Sequence, residues 1–208
     1  MKITIQWHGH SCFSVTADGY TVVLDPYDDS LEGYAPLSLT GNAVLCSHGH
    51  HDHAWVQAVE LEKTDLPCPF TVEKVLTAHD DCGGTKRGEN IIHVLSVDGK
   101  RIVHCGDLGH ALSPAQVNAI GDADVLLLPV GGFYTIDAAV ARTVSMQLSA
   151  KTIIPMHYRF DGYGIAVIAQ VDDFLALAGE TPVNRVEQST LVLDGDAPKQ
   201  IAILSYNR

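Results

Sequence analysis

The seven residues Ser47-His48-Gly49-His50-His51-Asp52-His53 pack imidazoles and a carboxylate together directly after the apolar run Ala43-Val44-Leu45-Cys46. Imidazole nitrogen and carboxylate oxygen are the usual ligands of Zn²⁺ and of neighbouring divalent metals. A buried strand that ends in such a cluster holds its ligands at the strand tip, on rigid backbone. The spacing is informative. His48 and His50 lie two apart and can face one metal, whereas Asp52 and His53 follow as the chain turns away and can face a second. A solvated His-rich run rarely follows a buried strand or carries an aspartate in its middle.

The run His48-x-His50-x-Asp52-His53 resembles the H-x-H-x-D-H signature of the metallo-β-lactamase superfamily of metal-dependent hydrolases. In that family a distant His, an Asp in a Gly-Asp context and a last His follow, each after a strand. His79, Gly106-Asp107 and His157 stand in that order. The resemblance covers nearly the whole chain. It implies that His48, His50 and His79 bind one metal, that Asp52, His53 and His157 bind the second, and that Asp107 bridges both. It also implies two divalent ions as cofactors, zinc first, with Mn, Ni or Fe as alternatives. The nucleophile would be a metal-bridging hydroxide, generated because paired cations bring the pKa of water toward neutrality. The fold it implies is α/β, a four-layer αβ/βα sandwich.

The elements that must position these residues are legible from pattern. Ile3 to Trp7 and Cys12 to Thr16 alternate, and Asp18-Gly19 supplies a two-residue hairpin turn before Tyr20 to Leu24. Between the first two strands lies His8-Gly9-His10-Ser11. A similar Gly-His-Ser stretch, and an Asp-Pro like Asp25-Pro26, occur in the small ascorbate-6-phosphate lactonase-like branch of the superfamily. Residues 27–40 read as a loop at the site mouth, and Ala54 to Lys63 as a short helix. Thr71 to Thr77 reads as a strand ending near His79, followed by a Gly-rich loop over 82–88. A second hairpin turns at Asp98-Gly99 and ends at Gly106-Asp107. Ser113-Pro114 should open a helix, with serine as N-cap and proline in the first turn. Ala123 to Pro129 is apolar throughout, as in a strand buried on both faces. Asp137 to Leu148 reads as a helix, Thr152 to Met156 as a strand with His157 at its tip, and Ile165 to Leu177 as a helix. Val186 to Leu193 and Gln200 to Ser205 complete the strands.

A chain of 208 residues suits one domain, 1–208, with a substantial core. Its 46% hydrophobic and 18% charged residues are ordinary, and no apolar run approaches a membrane span. A formal charge of −12 argues against nucleic acid as the main partner, because a phosphate backbone calls for clustered Lys and Arg. The start, Met1-Lys2-Ile3-Thr4-Ile5, runs straight into strand-like sequence and shows no signal peptide. Five cysteines without a C-x-x-C read as reduced thiols of a cytoplasmic protein, with Cys46 and Cys105 as core packing.

Other residues have roles beside the ligands. Asp52 counts as catalytic as well as metal-binding, and His10 or His110 could protonate a leaving group or orient a ligand. Tyr134 and Tyr158 could bond an oxyanion or simply pack, and His51 fills the variable position of the signature, pointing away from the metals. His8, His93 and His104 read as structural. Lys86, Arg87 and Arg159 are the cations expected near the site and could hold an anionic group on a small-molecule substrate. The expected activity is hydrolysis of a small ester, lactone or phosphoester. The alternatives are a phosphodiesterase on a cyclic or lipid-derived phosphodiester, or a non-enzymatic metal-binding or sensing protein. The chain lacks room for the C-terminal helical domain of glyoxalase II-like enzymes and for the inserted domain of the nuclease branch, both features of the resembled family.

Overall fold

The computed structural model describes residues 1–206. Its first sheet begins with β1 (Lys2–Gly9), β2 (Cys12–Ala17) and β3 (Tyr20–Leu24), an antiparallel meander. At the Asp18-Gly19 turn both residues have positive φ, 49° and 76°, as the two-residue hairpin requires. Two short strands follow, β4 (Leu39–Gly41) and β5 (Ala43–Leu45), and β5 pairs parallel with β3.

The segment 54–63, expected as a helix, is a single 3-10 turn at Val56–Ala58 followed by strand β6 (Val59–Leu61). Its backbone is committed elsewhere. Trp55 N–H donates to the Pro26 carbonyl, and β6 pairs parallel with β4. That small sheet and the loop 26–38 cover the outer face of the first sheet, where Cys12, Val23, Tyr27, Leu31, Tyr34 and Val59 form their own apolar cluster.

The second sheet is built from β7 (Thr71–Ala78), β8 (Glu89–Val97) and β9 (Lys100–His104), then β10 (Val125–Pro129) and β11 (Thr152–Met156). β7 to β9 are antiparallel neighbours, whereas β9, β10 and β11 run parallel. The connections in the parallel part carry α1 (Pro114–Ile120) and α2 (Ala138–Gln147). Ser113 caps α1 in a full capping box with Gln116, and Asp137 caps α2 by accepting from Val140 N–H.

Residues 165–177 are helical only over α3 (Val171–Leu175). The turns before it are pulled into tertiary pairing: Ala169 N–H donates to Gly131 and Arg159 N–H to the Ala169 carbonyl. The run 186–193 also departs from expectation. β12 (Val183–Val186) joins the second sheet, and β13 (Thr190–Asp194) crosses back to pair with β1 in the first. β14 (Gln200–Leu204) lies between β12 and β11.

The sheet orders are therefore β13-β1-β2-β3-β5 and β12-β14-β11-β10-β9-β8-β7. Between them lies one apolar core, with Ile3, Ile5, Phe13 and Val15 from the first sheet and Ile92, Val94, Ile102 and Leu126 from the second, each 0–1% exposed. The result is the expected α/β sandwich, with all three described α-helices on the second-sheet side of the chain's order and a β-rich cover over the first. No described helix is long and apolar enough to cross a membrane.

Leu126 lies at the centre of this core, so Leu126→Ala should cost about 2–5 kcal/mol of unfolding free energy. Leu66→Ala, at a position 51% exposed, should stay within about 0.5 kcal/mol. Urea denaturation of both variants checks the contrast.

Candidate metal centre

Every ligand candidate leaves from the end of a strand on one edge of the sandwich. His10 follows β1, the run 47–53 follows β5, His79 follows β7, Asp107 follows β9 and His157 follows β11. Three groupings of these residues place their ligand atoms within 4.8 Å of one another: His48, His50 and His79; His10, Asp52, His53 and His157; and His48, His53 and Asp107. The Asp107 carboxylate stands between the first two. Its Oδ1 is 3.1 Å from His53 Nε2, while its Oδ2 is 3.2 Å from His79 Nε2 and 3.3 Å from His157 Nε2.

His10 enters this arrangement more deeply than the sequence suggested. It is fully buried at a backbone φ of 48°, its Nε2 is 3.4 Å from Asp52 Oδ2, and its ring centroid is 4.2 Å from that of His157. Its carbonyl accepts from Trp7 Nε1–H and from His157 N–H, which pins the turn. Only the Gly-His-Ser position at a strand end hinted at this.

The orientation of the imidazoles depends on Asp25, which pattern reading singled out only through its Asp-Pro context. Asp25 is completely buried and accepts from His53 Nδ1–H at 2.7 Å, from Ser47 N–H at 2.7 Å and from the Ser47 hydroxyl. Since the Ser47 proton goes to Asp25, Ser47 Oγ accepts from His48 Nδ1–H at 2.9 Å. His48 is thereby set in the tautomer whose Nε2 lone pair faces the cluster, and His53 is oriented with its Nε2 toward it. Burial alone would raise Asp25, but His104 and His53 beside it and the hydrogen bonds it accepts hold it at about 2.

Asn90 fixes the backbone from which Asp107 projects. Its side-chain carbonyl accepts from Asp107 N–H, and its amide donates to the Cys105 carbonyl and to Thr77 Oγ1. Gly106, at φ 53°, lies against this bracket, and a Cβ there would collide with Asn90 and Ser47. The glycine before the aspartate is needed for that packing. No local pattern marked Asn90.

The charges divide the groups by role. Burial, with His53 close by, pushes His48 down to about 3, and burial with His157 close by pushes His10 down to about 4. Both are neutral lone-pair donors near neutral pH. Burial opposes charge on His53 as well, but the Asp107 and Asp25 carboxylates hold it well above the ordinary imidazole range. Asp107 is held well below the carboxylate range, against burial, by His157 and His53.

Buried His10, His79 and His157 keep ring nitrogens, and Asp107 keeps Oδ1, without a hydrogen bond among the described residues. Buried polar atoms left unbonded cost about 1–3 kcal/mol each. His10 and His157 belong to one ligand grouping and Asp107 to an adjoining one, where divalent cations would satisfy several of these atoms at once. Nitrogen and carboxylate donors of this kind suit zinc and its neighbours.

Other candidates lie outside the cluster. His110 Nδ1–H donates to the Ala111 carbonyl and its Nε2 accepts from Ala78 N–H, so both ring nitrogens serve the backbone and neither is free for proton transfer. Tyr158 is buried and stacked on Trp7, a packing residue. Arg159 donates through Nε to the Ile168 carbonyl and lines a separate cavity. His51, expected to point away, lines the cavity above the cluster, with Nδ1 3.3 Å from Asp28 Oδ1. His93 and His104 bond the carbonyls of Cys46 and Ser11, and His8 bonds Ser14, as structural residues do. All five cysteines are free.

Residues 4–157 match the family described as Beta-lactamase superfamily domain. A UPF0173 metal-dependent hydrolase of Thermoplasma acidophilum is 30% identical over 86% of this chain and 92% of its own length. The chain belongs to the metallo-β-lactamase superfamily. Within it, the chain is a UPF0173 metal-dependent hydrolase by kinship. A proposed Zn-dependent hydrolase of this superfamily from Thermotoga maritima superimposes with a TM-score of 0.76 at 36% identity, over 97% of this chain and 98% of that one. A metallo hydrolase of Ignicoccus hospitalis shares the fold, with a TM-score of 0.65 at 20% identity over 94% of this chain and all of that one.

If Asp25 sets the tautomers, Asp25→Ala should weaken metal retention by roughly 10–100-fold. His110→Ala should keep wild-type metal content. Elemental analysis after dialysis against a graded chelator series measures both.

Proposed function

We propose that this metal-dependent hydrolase works as a dinuclear enzyme on a small ester, lactone or phosphoester. The observation that carries the reading is Asp107, whose two carboxylate oxygens face histidines of both ligand sets. A carboxylate so placed can serve two cations together, His48, His50 and His79 holding one and Asp52, His53 and His157 the other, with His10 beside the second. Two such cations, when bound, supply Lewis acidity that lowers the pKa of water toward neutrality and polarises the bond to be broken.

The protein's own groups do the rest. Neutral imidazoles keep the site's net charge positive once it is loaded, and Asp25 and Asn90 keep the donors aimed without reorganisation. A cavity of about 440 Å³ opens above the cluster, lined by His50, Asp52, His79, Asp107 and His157 on one side and by Lys86, Arg87 and Tyr134 on another. Its size suits a small molecule. His10, enclosed and 3.4 Å from Asp52, is placed to orient that carboxylate, which supports the second of its two expected roles, that of orienting a ligand.

Zinc comes first among the metals because the donor set is histidine and aspartate and because the Thermotoga relative is a proposed Zn-dependent hydrolase. The lactonase-like substrate range and a cytoplasmic setting, with the span 1–208 acting as one domain, belong to the same reading; free thiols at all five cysteines support a reducing compartment.

Reconstituted protein should carry close to two divalent ions per chain, and Asp107→Ala should lose one or both. Wild type that takes up none after reconstitution overturns the reading. With p-nitrophenyl esters, lactones and bis-p-nitrophenyl phosphate as substrates, kcat/KM should rise with pH to a plateau with an apparent pKa near about 7. Turnover that survives exhaustive chelation would exclude the metal-dependent route.

A further inference from the structure

The loop after His79 is wound around one side chain. Asp80, 1% exposed, accepts four backbone N–H bonds: Cys82 and Gly84 on Oδ1, each at 2.8 Å, and Lys86 and Arg87 on Oδ2, at 2.8 and 2.9 Å. Gly83, Gly84 and Gly88 all have positive φ, and a Cβ on Gly84 would crowd the Gly88 carbonyl. The Gly-rich loop is thus closed on an internal anion, with its amides turned inward.

That closure fixes where the loop's cations stand. Arg87 leaves it half-buried at the cavity wall; its Nη2 donates to the Phe133 carbonyl at 3.0 Å, and its guanidinium lies 5.5 Å from the Tyr134 ring centroid. Among the described residues it pairs with no carboxylate, in a chain with 25 acidic and 13 basic residues. An arginine held by a carbonyl and an aromatic face, and spared from ion pairing, keeps most of its planar fork of donors for a ligand. Lys86 beside it is exposed and drawn to Asp81 at 3.3 Å, so it adds charge more than geometry. Glu32 lines the same cavity and disfavours an anion near itself, which confines the anionic end to the Arg87 side.

We propose that the cavity selects substrates bearing an anionic oxyacid group, phosphate or carboxylate, remote from the bond cleaved, that Arg87 grips this group, and that Asp80 is the positioning residue that holds Arg87 ready. The inference takes the location of the substrate from the hydrolase reading above. A fork held in advance pays little ordering entropy on binding, so the grip acts as a specificity element and not only as general attraction.

Calorimetric titration of inorganic phosphate, with acetate as a second arm, tests this without turnover. Metal content is measured on every sample, and metal-free protein is titrated in parallel. Arg87→Ala should bind phosphate about 10–100-fold more weakly than wild type at equal metal content, with Arg87→Lys in between. Asp80→Asn provides a test of sign. Removing a negative charge near the site would by Coulomb attraction alone tighten anion binding, whereas loss of the loop's anchor should weaken it severalfold. Whichever of phosphate and acetate shows the Arg87 dependence names the anionic group. Equal binding by wild type and Arg87→Ala, or no binding by wild type, overturns the grip; tighter or unchanged binding by Asp80→Asn overturns the positioning role. A wild type that takes up no metal counts against the dinuclear reading alone, since the same comparison then runs on metal-free protein.

Discussion

The buried Asp25 carboxylate is the interaction on which the centre depends. A carboxylate removed from water is expensive unless hydrogen bonds and opposite charge surround it. Here the compensation comes from Ser47 and His53, and through Ser47 it extends to His48. The same bonds that make Asp25 tolerable dictate which nitrogen of each histidine is left bare. Burial cost and ligand orientation are therefore one arrangement. It also ties the end of β3 to the start of the histidine run, so the first sheet's edge and the cluster are joined directly.

The two sheets meet at this point because each contributes ligands the other lacks. The first sheet supplies His10 and the run after β5, and the second supplies His79, Asp107 and His157. Interdigitated apolar side chains between the sheets set how far apart those strand ends lie, and close-packed interiors hold such distances tightly. Loops then differentiate the site. The Asp80-centred loop and the 130–136 segment stand on the second-sheet side of the cavity, and residues 30–32 line it from the first. In a superfamily whose members share a scaffold, such loops are where substrate preference resides.

Much of this was legible in the residues alone. The His-x-His-x-Asp-His run, and His79, Asp107 and His157 after it, are residue types whose chemistry is recognisable without coordinates, and the structure gathers all of them at one edge. The hairpin turns, the capped helices and the apolar run of β10 were equally plain, because each is dictated by neighbours in sequence. The helix expected over 54–63 was not found, because apolar spacing there serves pairing with β4 and not a helix face. The run 186–193 likewise split between two sheets, a choice made by partners far along the chain.

What only the tertiary structure decided concerns contacts between residues distant in sequence. His10 joins Asp52, His53 and His157 across a gap of more than forty residues, and Asn90 brackets Asp107 from another strand. His110, similar to His10 by type and by place near a strand end, was turned to the backbone instead. Arg87 and Arg159, both close to a ligand in sequence, parted in the same way, one at the cavity and the other on a carbonyl away from it. Residue type and order determine what chemistry a chain can perform. Which of several equivalent imidazoles or guanidinium groups performs it is decided by packing, since only the folded core sets which buried groups already have a partner and which are left facing the site.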